Sequence, residues 1–424
     1  MQHPKENSGI NNDIKENIEK DNTLSITDKI KTLRNHKGIS QQAISDYALM
    51  GQKKISRIEN GEYEYDKTDL EVVKRFLGIE GMPLTEDECS KFRRRLYHWH
   101  NLIKNRQVYE ATVLQDELKN IVSLELFYFD LPTLYRIFEV LFLLTEISLS
   151  TETIKDFSVV EEKLKYLEGV FDEMNTEHRY YYNYNLGTFY SLKNDCEKAL
   201  EYYKQALDIK KQHKDVLSND EERLYYSLAL CYTDLEQPNR ALAFLNKIPK
   251  RNPNDITTKY SLGIDIMSAI NHYKIGLYDE AEEILNDCLK QAEGINNETS
   301  IGLVLQNLGV LHLRQENYER AIWYFDHSLN FFDEDTRYHA WALYYKIRCM
   351  IGLRNFNEAE RTLRQISPSL KKNDKYITLL ETLKHIAYLS RNVSRYDKTP
   401  TAASDFFRAS SLIGLMMFSK YRLA

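Results

Sequence analysis

One short run of this chain concentrates side chains that can hydrogen-bond to bases and phosphates. From Gly51 to Ile58 it carries Gln52, Lys53, Lys54, Ser56 and Arg57, and no acid. On a helix that begins near Gly51, Gln52, Lys53, Ser56 and Arg57 share one exposed face, while Ile55 and Ile58 point the other way into a core. An arginine matches guanine O6 and N7 with two hydrogen bonds, and a glutamine matches adenine N6 and N7. Gln41 and Lys54 lie where phosphates would pass, contacts that orient a protein without specifying sequence. A second set recurs on helices farther along: Asn185, Thr188, Asn271, Lys274, Asn307, Arg314 and Arg348. An asparagine amide offers a donor and an acceptor together, which suits the backbone of an extended peptide. The cations among them suit a carboxylate.

Other chemistry finds no support. No HExxH, GxSxG, Walker or GxGxxG sequence is present. His98 and His100 point about 200° apart on a helix, at roughly 100° per residue, so they cannot grip one metal ion. Cys89, Cys196, Cys231, Cys288 and Cys349 are scattered without a CxxC pair, as expected of small apolar core residues in a reducing compartment. Catalysis by the chain itself, a cofactor and a bound metal are all not expected.

The positioning elements follow from composition and period. The 424 residues include only 15 Gly and 8 Pro, too few for a sandwich or barrel that turns every ten residues or so. An all-α protein is expected. With 57 basic and 63 acidic side chains the net charge is −6, so a nucleic-acid surface has to be local. No 18-residue apolar run appears, and the first 24 residues have no apolar stretch of the signal-peptide kind. These observations point to a cytoplasmic chain without membrane association, with residues 1–24 as a disordered or fraying lead-in.

From Ser25 to Ile79 apolar residues recur at helical spacing: Ile30 and Leu33, Ile44 with Tyr47 and Ala48, Ile55 and Ile58, then Leu70, Val73 and Leu77. Four or five short helices sharing one core are expected, with Thr27 capping the first, Ser40 the second, and Asn60-Gly61 closing the third. The run Leu33-Arg34, Gly38-Ile39-Ser40-Gln41-Gln42, Ile44 and Ile55-Ser56-Arg57-Ile58-Glu59-Asn60-Gly61 resembles the helix-turn-helix of the Cro/434-repressor-like (XRE) family. Two positions depart from that family. Leu49 replaces a turn glycine, and Gly51 replaces the Ser or Thr that caps the recognition helix. The resemblance implies major-groove binding by the helix after Gly51 and an internal ion pair between Arg34 and Glu59. Residues 25–79 hold 10 Lys/Arg against 8 Asp/Glu, so one copy should bind duplex DNA weakly, and dimerisation is the direct way to double the contacts.

Residues 80–91 read as a linker, and 92–391 as an array of about seven helical hairpins plus a final helix near Tyr376–Leu389. Alanines at 199, 241, 281, 321 and 359 recur in steps of 42, 40, 40 and 38. This resembles the tetratricopeptide repeat, stretched beyond its usual ~34 residues, and such hairpins stack into a right-handed superhelix. Most of the 30 tyrosines are expected as packing residues. Residues 392–424 form an atypical tail without repeat signature.

An XRE-type head, a linker reading Glu80-Gly81-Met82-Pro83-Leu84-Thr85-Glu86-Asp87-Glu88 and a long-period tetratricopeptide array together resemble the peptide-pheromone receptors of the Rap/Rgg/NprR/PlcR/PrgX superfamily, the NprR-type subgroup most of all. The resemblance implies a cytoplasmic quorum-sensing transcription regulator. Its partners would be promoter DNA, a short imported signalling peptide and further copies of itself in a dimer or tetramer. It also implies an alternative: a Rap-like scaffold that sequesters or dephosphorylates a response regulator of the sporulation phosphorelay, with DNA binding secondary.

Overall fold

Helix formation at the N-terminus is set by capping. The Ser25 side chain accepts a hydrogen bond from the Asp28 amide at 3.2 Å and opens α1 (Ile26–His36). The cap is therefore Ser25 and not Thr27, because the helix starts two residues earlier than expected and leaves Thr27 buried in its first turn. Ser40 accepts from the Ala43 amide at 3.1 Å and opens α2 (Gln41–Ala48), and Asp66 opens α4 (Lys67–Phe76). Between them, α3 (Gln52–Glu59) starts at Gly51, which offers no side-chain acceptor. In this computed structural model the described residues are 25–80, 85–124, 130–150, 156–213, 221–249, 259–334 and 336–364, and among them all regular structure is helical.

The core of these four helices holds Ile30, Leu33, Ile44, Ile55, Ile58, Val73 and Leu77, together with Met50 and Ile79. Burial of each such side chain contributes about 1.5–3 kcal/mol relative to exposure. Tyr47 departs from the expected core: it is half exposed and lies against the Phe76 ring at 4.7 Å. Leu49 takes the left-handed conformation (φ 53°, ψ 31°) that a glycine adopts at lower cost, and its side chain lies almost wholly in solvent.

The next helix, α5 (Glu86–Lys104), begins inside the expected 80–91 linker. Thr85 and Glu88 form a reciprocal capping box, and three acids in the first turn favour an early start. Lys74 on α4, its side chain 4% exposed, lies 3.5 Å from both Glu71 and Glu88. From α5 onward the helices succeed one another as α6 (Val108–Leu118), α7 (Asp130–Leu149), α8 (Ser158–Gly169), α9 (Thr176–Leu192), α10 (Cys196–Gln212), α11 (Glu221–Asp234), α12 (Pro238–Leu245), α13 (Lys259–Lys274), α14 (Tyr278–Gly294), α15 (Glu298–Arg314), α16 (Tyr318–Leu329), α17 (Arg337–Gly352) and α18 (Phe356–Arg364). The chain divides into two compact units. One comprises 1–150, 155–186 and 205–217, the other 151–154, 187–204 and 218–424, so the division passes through α9 and α10. The lead-in 1–24, the helix expected at 376–389 and the tail 392–424 lie outside the described residues.

A turn signal recurs with the repeat. Arg106, Asn194, Glu236, Gly276, Glu316 and Arg354 all have positive φ, each five residues before the fully buried Ala111, Ala199, Ala241, Ala281, Ala321 and Ala359. The residue after each left-handed position donates its amide back to the preceding helix, as in Asn317 to the His312 carbonyl at 2.9 Å and Asn355 to Met350 at 2.8 Å. Small residues then let paired helices approach: a Cβ on Gly187 would lie 2.5 Å from the Tyr203 ring, and one on Gly309 2.6 Å from Phe325. Cys196, Cys231, Cys288 and Cys349 are buried in the helical packing, and burial pushes the Cys288 and Cys349 thiols up to about 12. His100 is likewise buried, stacked on Phe138 at 4.4 Å.

Candidate functional sites

Glu59, at the end of α3, anchors the nucleic-acid candidate. Arg34 Nε donates to its Oε1 at 2.6 Å and Nη2 to its Oε2 at 2.8 Å, while Lys31 Nζ donates to the Glu59 backbone carbonyl at 2.9 Å. The pair expected from the helix-turn-helix resemblance is thus present and buried. Burial pushes the Glu59 carboxyl up, but the hydrogen bonds from Arg34 and Gln41 and the neighbouring positive charges outweigh it and hold the group below its ordinary value. Gln41 Nε2 donates to Glu59 Oε2 at 2.7 Å, so this amide braces the ion pair and does not reach outward for phosphate.

The exposed face of α3 carries Gln52, Lys53 and Arg57, with Ser56 half-buried beside them. Lys54 departs from its expected role. It is ion-paired with Asp69 at 2.5 Å and lies 3.8 Å from Asp66, because α4 begins with acids directly opposite it. The hydrogen bond that Lys54 donates to Asp69 raises its pKa. Lys53 is the cation of α3 with no acid partner among the described residues. Arg57 is held by two residues the sequence did not single out: its Nε donates to Glu62 Oε2 at 2.7 Å, its Nη2 donates to the Tyr63 hydroxyl at 2.8 Å, and its guanidinium lies 4.4 Å from the Tyr63 ring centre.

The repeat residues divide differently from expectation. Asn185 is buried and donates to the Ile137 carbonyl at 2.7 Å. Asn271 is fully buried and donates to Thr233 Oγ1 and the Met267 carbonyl, both at 2.8 Å. Asn307 donates to the Leu303 carbonyl at 2.8 Å and accepts from the Tyr273 hydroxyl at 3.4 Å. Lys274 donates to the Thr233 carbonyl and to Glu236, both at 2.9 Å. These four side chains therefore hold neighbouring helix turns or helices, since polar groups enclosed between helices need partners there, although Asn185 Oδ1 is buried with no hydrogen-bond partner among the described residues. Thr188 accepts from the Tyr203 hydroxyl at 3.2 Å.

Arg314 and Arg348 each lie beside a tyrosine ring. Arg314, exposed at the end of α15, lies over the Tyr273 ring at 5.3 Å and has no ion-pair partner among the described residues. Arg348 lies 5.8 Å from the Tyr344 ring centre. Burial pushes the Tyr273 phenol up to about 12, with Arg314 opposing, and raises those of Tyr344 and Tyr345. These phenols stay protonated, so each guanidinium lies beside a buried, neutral ring and keeps its positive charge for a carboxylate. Among the described residues no His/Cys/Asp/Glu group could hold a metal ion, and no helix is long and apolar enough to cross a membrane.

The repeats define the class. Tetratricopeptide-repeat families match residues 193–259 and 264–334, so the chain carries tetratricopeptide hairpins. The chain is similar to the transcriptional activator NprA of Geobacillus stearothermophilus, 26% identical over 65% of this chain and 65% of that one. It is also similar to the regulatory protein RapD of Bacillus subtilis (strain 168), 22% identical over 47% of this chain and 57% of that one. It thus spans less than two thirds of the length of either relative. The crystal structure of NprR in complex with its cognate peptide NprX superposes with a TM-score of 0.58 at 19% identity, over 77% of this chain and 90% of that one. The chain therefore shares the tetratricopeptide fold of NprR, in agreement with the fold implied by the resemblance drawn from the sequence.

Proposed function

We propose that the protein is a cytoplasmic, peptide-responsive transcription regulator. A short signalling peptide binds the first helices of the repeat hairpins, and the bound state changes oligomerisation and promoter binding by the N-terminal helices. The observation that carries this reading is one chain holding both surfaces: the exposed Gln52, Lys53 and Arg57 on a helix braced by the buried Arg34–Glu59 pair, and Arg314 unpaired above Tyr273. NprA is a transcriptional activator and NprR was crystallised with a peptide, which supports both halves. The peptide can shift promoter binding only by its differential affinity for the two assembly states. A dimer would present two copies of α3 to successive major-groove half-sites.

Anisotropy of a labelled promoter duplex, titrated with full-length protein, tests the DNA half. Arg57→Ala is expected to weaken binding by about 1–3 kcal/mol if Arg57 reads a base. Unchanged binding to every duplex tried would sink that role.

For the peptide half, thermal shift and calorimetry with short synthetic peptides are the measurement, each peptide supplied with a free or an amidated C-terminus. Arg314→Ala is expected to remove about 1.5–3 kcal/mol of affinity for a carboxylate-bearing peptide, the scale of a hydrogen bond to a charged group. If amidated and free peptides bind alike, and Arg314→Ala changes neither, the carboxylate assignment is wrong.

Similarity to RapD favours a second reading, a scaffold for a response regulator of the sporulation phosphorelay. Under that reading the cellular phenotype survives Arg57→Ala, whereas a promoter-bound regulator loses it.

A further inference from the structure

The turn after α3 does more than end the helix. Gly61 has φ +78°, and the Glu62 amide donates to the Arg57 carbonyl at 3.0 Å. This folds the chain back, so that Glu62 and Tyr63 lie beside the Arg57 side chain and not beyond the helix end. Nothing in the repeat spacing or the base-reading pattern marked these two residues.

A guanidinium has a side edge, formed by Nε–H and one Nη2–H, and an end edge, formed by one hydrogen from each Nη. Glu62 takes Nε at 2.7 Å, and the Tyr63 hydroxyl takes a hydrogen of Nη2 at 2.8 Å. The Tyr63 ring lies 4.4 Å from the guanidinium carbon, which restricts the remaining side-chain rotations. With Nε and Nη2 engaged in this way, Nη1 has no hydrogen-bond partner among the described residues, and with the second hydrogen of Nη2 it makes up the remaining edge. Two donors in that arrangement match the O6 and N7 acceptors of guanine. An exposed ion pair alone holds a side chain weakly. A carboxylate, a hydroxyl and a ring face together fix the direction in which the free edge points.

We propose that Glu62 and Tyr63 are positioning residues that present the end edge of Arg57 to a guanine, and so set base preference at one position of the operator. This rests on the reading of α3 as the DNA-recognition helix. The competing account is charge neutralisation: Glu62 would merely cancel Arg57 and weaken all DNA binding alike.

Selection of full-length protein against a randomised duplex pool, followed by affinity measurements on the best duplex and its single-base variants at several salt concentrations, separates them. The wild type should select guanine at one position, and Arg57→Ala should lose that preference. Glu62→Ala should lower discrimination for guanine at the same position roughly ten-fold, the scale of one bidentate contact, without steepening the dependence of affinity on salt. Tyr63→Phe keeps the ring and loses the hydroxyl, so it should fall between wild type and Glu62→Ala. Glu62→Gln retains an acceptor for Nε and should recover part of the preference.

If Glu62→Ala and Glu62→Gln both raise affinity for every duplex, and the salt slope grows by about one unit with base preference intact, neutralisation is correct and the positioning proposal fails. If Arg57→Ala leaves the selected sequence unchanged, the recognition-helix reading itself fails, a result distinct from the failure of Glu62 alone. Circular dichroism on each variant confirms that these exposed substitutions leave the helices folded.

Discussion

Glu59→Ala is expected to destabilise the N-terminal helices by about 3–5 kcal/mol, the cost of leaving one member of a buried ion pair without its partner. Arg34 and Glu59 side chains are 11% and 1% exposed, and removal of the carboxylate strips acceptors from Arg34 Nε, Arg34 Nη2 and Gln41 Nε2 together. A unit of this size has a total stability of only about 3–8 kcal/mol, so the substitution should unfold α1–α4 in much of the population. Hydrogen exchange on the full-length chain reads this directly, because loss of protection confined to residues 26–76 separates the head from the repeats. Paired replacement by apolar residues, Arg34→Met with Glu59→Leu, should recover most of the loss, since no buried charge is then stranded.

The same carboxylate predicts an acid limit. Its folded pKa lies below the ordinary value of about 4.3. Its contribution is therefore complete above that value and is lost as pH falls through the lower folded value. Protection of the α1–α4 amides should decline in that acid window, and Glu59→Ala should flatten the decline. Equal pH dependence in wild type and variant would refute the assignment.

Phe325→Ala should cost the second unit about 3–5 kcal/mol, as expected for an aromatic removed from a closed core. The ring is fully buried, stacked on Tyr345 at 5.5 Å and close to Gly309 on the facing helix. Gly309→Ala tests the same contact from the opposite helix. Alanine gains about 1 kcal/mol of helix propensity over glycine. Here, however, its Cβ would sit 2.6 Å from Phe325 Cε1, 2.8 Å from Cδ1 and 2.8 Å from Cζ. Fully buried and stacked on Tyr345, the ring has little room to retreat, so overpacking of about 1–3 kcal/mol should prevail. In the double variant the clash vanishes with the ring, and the loss should fall short of the sum of the two single losses. Strict additivity in thermal or denaturant melts would show that Gly309 and Phe325 do not share this contact.

The resemblances carried by the residues agree with the structure where interactions are local or periodic. The helices around Ser40, Ile55 and Ile58 and the buried alanine row from Ala199 to Ala359 follow spacings readable along the chain, while the Arg34–Glu59 pair, 25 residues apart, is implied by the family resemblance alone. The left-handed turn residues escaped notice because Asn194, Glu236, Glu316 and Arg354 are not glycines. Helix geometry around them, more than residue type, imposes the conformation.

The chain's own sequence determined that it is helical, that its hairpins repeat every 38–42 residues, and which helix exposes Gln52, Lys53 and Arg57. Only tertiary structure decided which polar side chains remain available. Asn185 bonds a carbonyl 48 residues away, Asn271 a hydroxyl 38 away and Lys274 a carbonyl 41 away, so each donor is engaged by a neighbouring helix. Helical periodicity depends on neighbours within a few positions, whereas a hydrogen-bond partner depends on which distant helix is packed alongside. That difference separates Arg314, without an ion-pair partner among the described residues, from asparagines that looked equally suited to a ligand.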